Sequence, residues 1–440
     1  MDRKQFLQRT AGAAAGLGLA ACTNGKTVKS ASDSGEGGEM AANYPGVGLL
    51  GYGCMRWPLK DNGNGEKVID QEQVNRMVDK ALEGGINYFD AAPVYLGGNC
   101  EAATSEALNR HPRDKWLLAT KLSNFKEWDY ESSVAMYRHS LELFKTDHID
   151  YYLLHSLSGG ADFEKRFGST GIMQFLLAER EAGHIRNLGF SFHGPESGFD
   201  ELMALHDRYH WDFVQIQMNY LDWEYPGPRN SKASYLYAEL EARDIPVVIM
   251  EPLRGGALAS LPKVSALKLK EIEPDRTVAS WAFRYLGGFP RILTVLSGMS
   301  EMEHLRDNLN TFRQLKPLTD KELELLYEIA EDIDSHPLIR CTACRYCMPC
   351  PYGIDIPGIF AFYNNSVNEG TYVSSQEQKN YARIKRRYLL SYDKAVQSSA
   401  QADHCISCGK CVKACPQHIS IPKELRKIDI YIEDLKQDRL

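Results

Sequence analysis

The 440-residue chain has no excess of positive charge: 51 Lys and Arg stand against 58 Asp and Glu, a formal net charge of −7. Without a basic field it offers a nucleic-acid backbone little to hold. No apolar run reaches the roughly 20 residues that a membrane-spanning helix takes. No G-x-G-x-x-G follows the early strand-like runs, which argues against an open doubly wound sheet with a dinucleotide at its crevice. Cysteine is scarce outside one stretch. Eight of eleven lie between Cys341 and Cys415, and Cys22, Cys54 and Cys100 each stand alone. A disulfide framework would spread its cysteines over many loops, so this crowding reads as metal binding.

Residues 1–22 have the layout of an export signal. Arg3-Lys4-Gln5-Phe6-Leu7 is a charged start, Ala11–Ala21 is small and apolar, and Leu19-Ala20-Ala21-Cys22 resembles a lipobox. The start also resembles a twin-arginine signal, with Lys4 in place of the second arginine. The expectation is an exported lipoprotein, periplasmic or on the cell surface, whose one membrane contact is a lipid anchor on Cys22. Residues 23–45, rich in Ser, Gly, Asn, Asp and Glu, read as a flexible tether.

From residue 46 to residue 317 short apolar runs alternate with helical stretches. Eight strands are expected: Gly48–Met55, Ile86–Ala91, Trp116–Lys121, Ile149–His155, Asn187–Phe192, Phe213–Asn219, Val247–Glu251 and Ile292–Ser297. Helices such as Gln71–Glu83 and Gly171–Ala182 separate them, and a Gly/Asn loop at Asp61–Gly65 opens the first connection. Eight βα units in this length predict a TIM (β/α)8 barrel. Asp90, Lys121 and His155 stand at the C-terminal ends of the second, third and fourth strands, and Tyr95 follows Asp90 after a short Ala/Pro loop. A barrel brings strand C-termini to one mouth. An acid, an ammonium, a phenol and an imidazole gathered there are equipment for proton transfer.

In this order and spacing Asp90, Tyr95, Lys121 and His155 resemble the tetrad of the aldo-keto reductases. Gly189-Phe190-Ser191, Gln215, Pro252-Leu253-Arg254-Gly255-Gly256 and Gly298-Met299-Ser300 extend the resemblance over residues 46–317. It implies hydride transfer between a nicotinamide dinucleotide and a small carbonyl or alcohol. Tyr95 would be the general acid, Lys121 would tune it toward phenolate, Asp90 would neutralise that lysine, and His155 would orient the carbonyl. The resemblance also implies that Ser191 and Gln215 hold the carboxamide and that Met250 packs on the nicotinamide ring. Pro252, Leu253, Gly255, Gly298, Ser300 and Asn308 would line the rest of the dinucleotide site. Phe192 and Met250 stand where many relatives have Asn and Tyr. Family habit points to NADP. Glu301 and Glu303, with Arg306 the nearest cation, argue partly for NAD instead. His193 is either a further pocket group or a plain loop histidine. Cys54 and Cys100 are expected as small residues near the mouth, open to oxidation only if exposed.

Residues 318–440 are expected to form a smaller helical domain. A helix from the Leu318-Thr319-Asp320-Lys321 cap to about Asp334 leads to Cys341-x2-Cys344-x2-Cys347-x2-Cys350-Pro351 and then to Cys405-x2-Cys408-x2-Cys411-x3-Cys415-Pro416. The second run has the bacterial ferredoxin spacing, in which the fourth cysteine serves the other cluster. Two 4Fe–4S clusters are therefore expected. One would be held by Cys341, Cys344, Cys347 and Cys415, the other by Cys405, Cys408, Cys411 and Cys350. Two zinc sites are the alternative, but zinc ordinarily takes two separated Cys pairs, not four cysteines in one run. The region resembles helical dicluster ferredoxins, and the whole chain the ferredoxin-fused aldo-keto reductases. The clusters would either exchange electrons with the barrel site or a redox partner protein, or serve as structural staples. Nicotinamide moves two electrons and each cluster one, so direct coupling needs a converter. A barrel kept only as a non-catalytic binding module is the rival reading.

Overall fold

The computed structural model describes residues 40–440, apart from 65, 228–229, 314, 336–337 and 374. The expected export signal, Cys22 and most of the tether lie outside the described residues. Residues 40–45 already hold to the barrel. Leu49 N–H donates to Ala41 O at 2.7 Å, and Asn43 Nδ2 donates to Phe289 O and Ile292 O at 3.2 and 2.9 Å.

The chain starts with β1 (Leu50–Gly53) and an antiparallel hairpin, β2 (Leu59–Asp61) and β3 (Lys67–Ile69). The Gly/Asn stretch expected as a plain loop is the turn of this hairpin. Seven strands follow: β4 (Tyr88–Asp90), β5 (Leu117–Leu122), β6 (Ile149–Leu157), β7 (Ile185–Phe192), β8 (Phe213–Gln217), β9 (Val247–Met250) and β10 (Ile292–Ser297). With β1 they pair in parallel, each beside its neighbour in sequence, and β10 closes on β1. This is a TIM barrel with helices outside. Several strands run one to three residues shorter or longer than the apolar pattern predicts, because pairing and not hydrophobicity sets their ends.

The alternation of the strands builds two cores. Outward residues such as Phe89, Leu118, Leu154, Val214 and Ile249 pack beneath the helices. Inward residues such as Tyr88, Leu153 and Phe213 fill the barrel. The helix Gln71–Glu83 shows how the outer layer forms. Asp70 caps it by accepting from Gln73 N, and Val74, Met77, Val78 and Ala81 bury one stripe.

Thr319 and Glu322 form a capping box at the start of the helix Asp320–Ser335. Leu326, Ile329, Ala330 and Ile333 of this helix pack in the barrel's core. Arg284 of the helix Val278–Leu286 ties to its Glu322 at 2.9 Å. By packing, then, the boundary lies after this helix and not before it, at Pro317. A separate core begins at Ile339 and gathers the helices Ile356–Asn368, Tyr381–Ala395 and Ile421–Lys436 through Ile359, Phe360, Tyr392 and Ile428. This helical part docks on the barrel mouth. Arg340 Nη1 donates to Pro226 O at 2.5 Å, Asn368 Nδ2 to Ser260 O at 2.8 Å, and Arg56 to Thr342 O. Among the described residues no helix is long and apolar enough to cross a membrane.

Candidate active site

Strand alternation decides what looks into the mouth. Tyr88, Ala119, Leu153, Phe213, Val248 and Leu296 belong to one interior cluster. Residues two further along each chain point the same way. Those are Asp90, Lys121, His155, Gln215, Met250 and Gly298. The polar set predicted from sequence is therefore a single layer stacked on an apolar one.

β6 adds a device of its own. Its register against β7 shifts between Leu154 and Leu157, and Ser156 takes φ 56°. Such an irregularity re-aims a side chain at the rim of a sheet. The Ser156 N–H donates to Ser191 Oγ at 2.7 Å, which pins the bend beside His155.

Lys121 Nζ donates to both Asp90 oxygens, at 2.7 and 2.6 Å, and to Ala91 O at 2.8 Å. Lys121 and Asp90 are both buried. Removing either partner would strand a charge in the interior. The ammonium lies 4.9 Å from the Tyr95 ring centroid. Tyr95 meets the His155 ring edge-on at 5.7 Å. Ser123 Oγ sits 2.6 Å from His155 Nδ1, and Arg166 Nη2 donates to His155 O at 2.8 Å.

Burial sets the protonation states. It pushes the Tyr95 phenol well above its ordinary range, and Asp90 and then Tyr346 add to the effect. The resting tyrosine is thus a neutral phenol, with the Lys121 ammonium held on Asp90 beside it. Burial, then the charges of Lys121 and Arg166, hold the His155 imidazole well below its usual range. Burial pushes the Asp90 carboxyl up, and the Lys121 ammonium opposes it. With both oxygens on that ammonium, the pair stands as carboxylate and ammonium.

A cavity of about 620 Å³ opens over this layer. Asp90 and Tyr95 line it, together with Gln215, Met250, Pro252, Leu253, Gly255, Gly298, Ser300 and Asn308. Of the residues predicted for the dinucleotide, Ser191 alone is not part of this wall, and its hydroxyl oxygen serves the bend in β6. Gln215 Nε2 donates to Met250 Sδ at 3.6 Å, while Gln215 Oε1 is buried without a partner. Glu303, His304 and Asp307 also line the cavity, whereas Arg306 is exposed and does not. His193 does line it, with Nδ1 3.2 Å from Asn230 Oδ1. Cys54 and Cys100 are fully buried, and burial pushes the Cys100 thiol up to about 12.

Part of the wall was not foreseen. Cys344, Tyr346, Pro416 and Gln417, all from the cysteine-rich domain, close the cavity. Gln417 is buried and its Oε1 lacks a partner. Gly255, at φ +67°, lies so close to Thr342 that a Cβ would run into its backbone. The loop after β9 and the first cysteine run touch main chain to main chain. No local pattern in the sequence signals a contact between segments so far apart.

Cys341, Cys344, Cys347 and Cys415 surround one small void, with Ile356, Phe360 and Ile421 around them. Cys350 stands with Cys405 and Cys408, whose thiols act together on Cys411 after burial. The structure thus brings Cys415 beside the first run and Cys350 near the second, the grouping expected from the ferredoxin spacing. Among the described residues no three His, Cys, Asp or Glu converge as for a single ion. The cluster assignment thus rests on the spacing and on the four thiols around each site. Cys344 puts the first quartet against the active cavity, while Cys408 of the second is exposed to solvent.

Residues 49–331 match the aldo/keto reductase family, and residues 340–420 match the 4Fe-4S dicluster domain. The chain belongs to the aldo/keto reductase family. It carries a 4Fe-4S dicluster domain behind the reductase barrel. An aldo-keto reductase of Mycolicibacterium smegmatis is 35% identical over 290 residues, 65% of this chain and 91% of that protein. The NADH-specific methylglyoxal reductase of Escherichia coli is 22% identical over 326 residues, 66% and 97% of the two chains. Among solved structures, an aldo-keto reductase of Bacillus halodurans in its holo form is 24% identical with a TM-score of 0.51. It covers 64% of this chain and 92% of its own, and it shows the shared barrel.

Proposed function

We propose that this aldo/keto reductase family member interconverts a carbonyl and an alcohol with NADH, using Tyr95 as the proton donor and acceptor. The observation that carries this reading is the buried Asp90–Lys121 pair beside Tyr95 and His155, at a cavity lined by eight of the nine expected dinucleotide residues. Bound nicotinamide would supply or take the hydride. Tyr95, held neutral by burial, gives its phenolic proton to the carbonyl oxygen. If the Ser123 hydroxyl donates to His155 Nδ1, the neutral imidazole keeps its proton on Nε2 and donates it to the same oxygen.

The residues present fit a dinucleotide. The unpaired Gln215 Oε1 can accept from a carboxamide, and Met250 offers a polarizable face. Glu303 and Asp307 can accept from ribose hydroxyls and would repel a 2′-phosphate. This favours NADH, and the Escherichia coli relative named NADH-specific is in keeping with it. The clusters would act as one-electron stations, the Cys408 quartet facing a redox partner protein. Residues 1–22 would direct export, with Cys22 as the lipid anchor. Membrane fractionation of Cys22→Ser against the parent tests that part.

The decisive experiment is anaerobic. Protein lacking residues 1–22 is given NADH or NADPH and a carbonyl panel, while nicotinamide absorbance and cluster EPR are followed together. Tyr95→Phe should lower kcat by about 10² to 10⁴ and leave NADH binding in place. Undiminished turnover in that variant would overturn the reading and favour a binding module.

A further inference from the structure

A second opening leads to the same tyrosine. A cleft of about 1270 Å³ lies between the β2–β3 hairpin, the loop that carries Tyr95 and the first cysteine run. It shares Met55, Arg56, Ser300, Cys344 and Tyr346 with the active cavity. Val94 and Leu96, on either side of Tyr95 in the chain, line the cleft, while Tyr95 lines the cavity. Tyr346 is common to both and sits close enough to Tyr95 to act on its phenol. The two spaces therefore adjoin at the proposed proton donor.

The cleft has a mixed lining, with Gln71, Asn99 and Ser300 among it, and one apolar wall. Leu59 and Val68 are 41% and 39% exposed on the hairpin, and both line it, with Trp57, Leu96, Met348 and Pro349. Single exposed apolar residues need no explanation. Here they gather on one concave wall that ends at the active site, the usual make-up of a ligand pocket. The charged groups nearly cancel, with Arg56, Lys67 and Arg345 set against Glu106 and Glu301. A strongly charged ligand has no net partner. The active cavity is walled by the residues fitted to the dinucleotide, so the body of a substrate needs adjoining space, and the cleft is that space.

We propose that this cleft holds the body of the substrate, and that the substrate is an extended, mainly apolar ketone or the matching secondary alcohol. Tyr346, lent by the iron–sulfur domain, is the specificity-determining residue where the cleft meets the cavity. The proposal rests on carbonyl chemistry at Tyr95 and adds the place and class of the substrate. The dicluster domain thereby becomes part of the substrate site, whatever its electrons do.

The test uses the cluster-loaded protein with NADH and methyl ketones from 2-butanone to 2-decanone. kcat/KM should rise about fourfold for each methylene that enters the cleft, and Val68→Asp should cut the long-to-short ratio at least tenfold. Val264→Asp, an equally apolar residue exposed elsewhere, should leave the ratio unchanged. Iron content and cluster absorbance must match the parent in each variant. Calorimetric binding of 2-decanone to Tyr95→Phe, with and without Val68→Asp, separates this proposal from the catalytic one. Binding that depends on Val68 without turnover of any ketone supports the cleft and overturns the carbonyl reading. Turnover without chain-length dependence, or no binding of 2-decanone, overturns the cleft.

Discussion

At the scale of the residue, burial decides the chemistry of the mouth. His155 is kept neutral by desolvation and by the cations near it. An unfolded imidazole takes up a proton near pH 6.5, whereas the folded one does so only at lower pH. The unfolded state then binds more protons, so stability falls as pH drops below about 6.5 toward the folded value. Urea midpoints measured from pH 7.5 to 5 should show this slope, and His155→Gln should lose its share of it. Glu303 belongs to the same scale. It lines the cavity where a 2′-phosphate would be repelled, so Glu303→Lys should move the kcat/KM preference from NADH toward NADPH by about tenfold or more. Cys54 and Cys100 are buried thiols raised by that burial. Anaerobic alkylation of the native protein followed by mass spectrometry should leave both unlabelled.

At the scale of the element, irregular backbone carries the placement. Straight β6 would send residues after Leu154 along regular alternation; the register shift at Ser156 bends the strand just past His155. The loop after β9 is the other case. Glu251, Arg254, Gly255 and Gly256 all have positive φ, and Gly255 presses on the Thr342 main chain. Gly255→Ala combines a left-handed penalty of about 1–2 kcal/mol with a clash against backbone. Its melting temperature should fall, and limited proteolysis between residues 335 and 341 should speed up as the cysteine run lifts away.

At the scale of the whole molecule, the barrel and the dicluster domain wall one cavity together. Tyr346 and Gln417 complete a cavity whose other walls belong to the reductase. Both stand beside cysteines expected to hold a cluster, Tyr346 between Cys344 and Cys347 and Gln417 two residues after Cys415. Iron removal should therefore be felt in the barrel. Chelation under anaerobic conditions should weaken NADH binding severalfold, measured by fluorescence titration, although no dinucleotide ligand in the barrel has changed. An unaltered affinity would mean that the domain keeps its seat without its clusters.

Much of this was legible in the chain itself. Apolar runs alternating with helical stretches, eight βα units in all, predicted the barrel, and side-chain alternation along its strands puts Asp90, Lys121, His155 and Gln215 in one layer. The cysteine spacing led to the expectation that Cys415 joins the first run and Cys350 the second, and the structure places them near those runs. These are local signals, written within a few residues. The tertiary structure alone decided the rest. It joined Ser191 to the bend of β6, paired Leu59–Asp61 with Lys67–Ile69 in a hairpin that walls a cleft, and gave the helix Asp320–Ser335 to the barrel's core. Above all it brought Tyr346 to the cavity that Tyr95 lines, some 250 residues earlier. That meeting follows from how two finished surfaces pack, and complementarity between surfaces leaves no periodic trace in either segment.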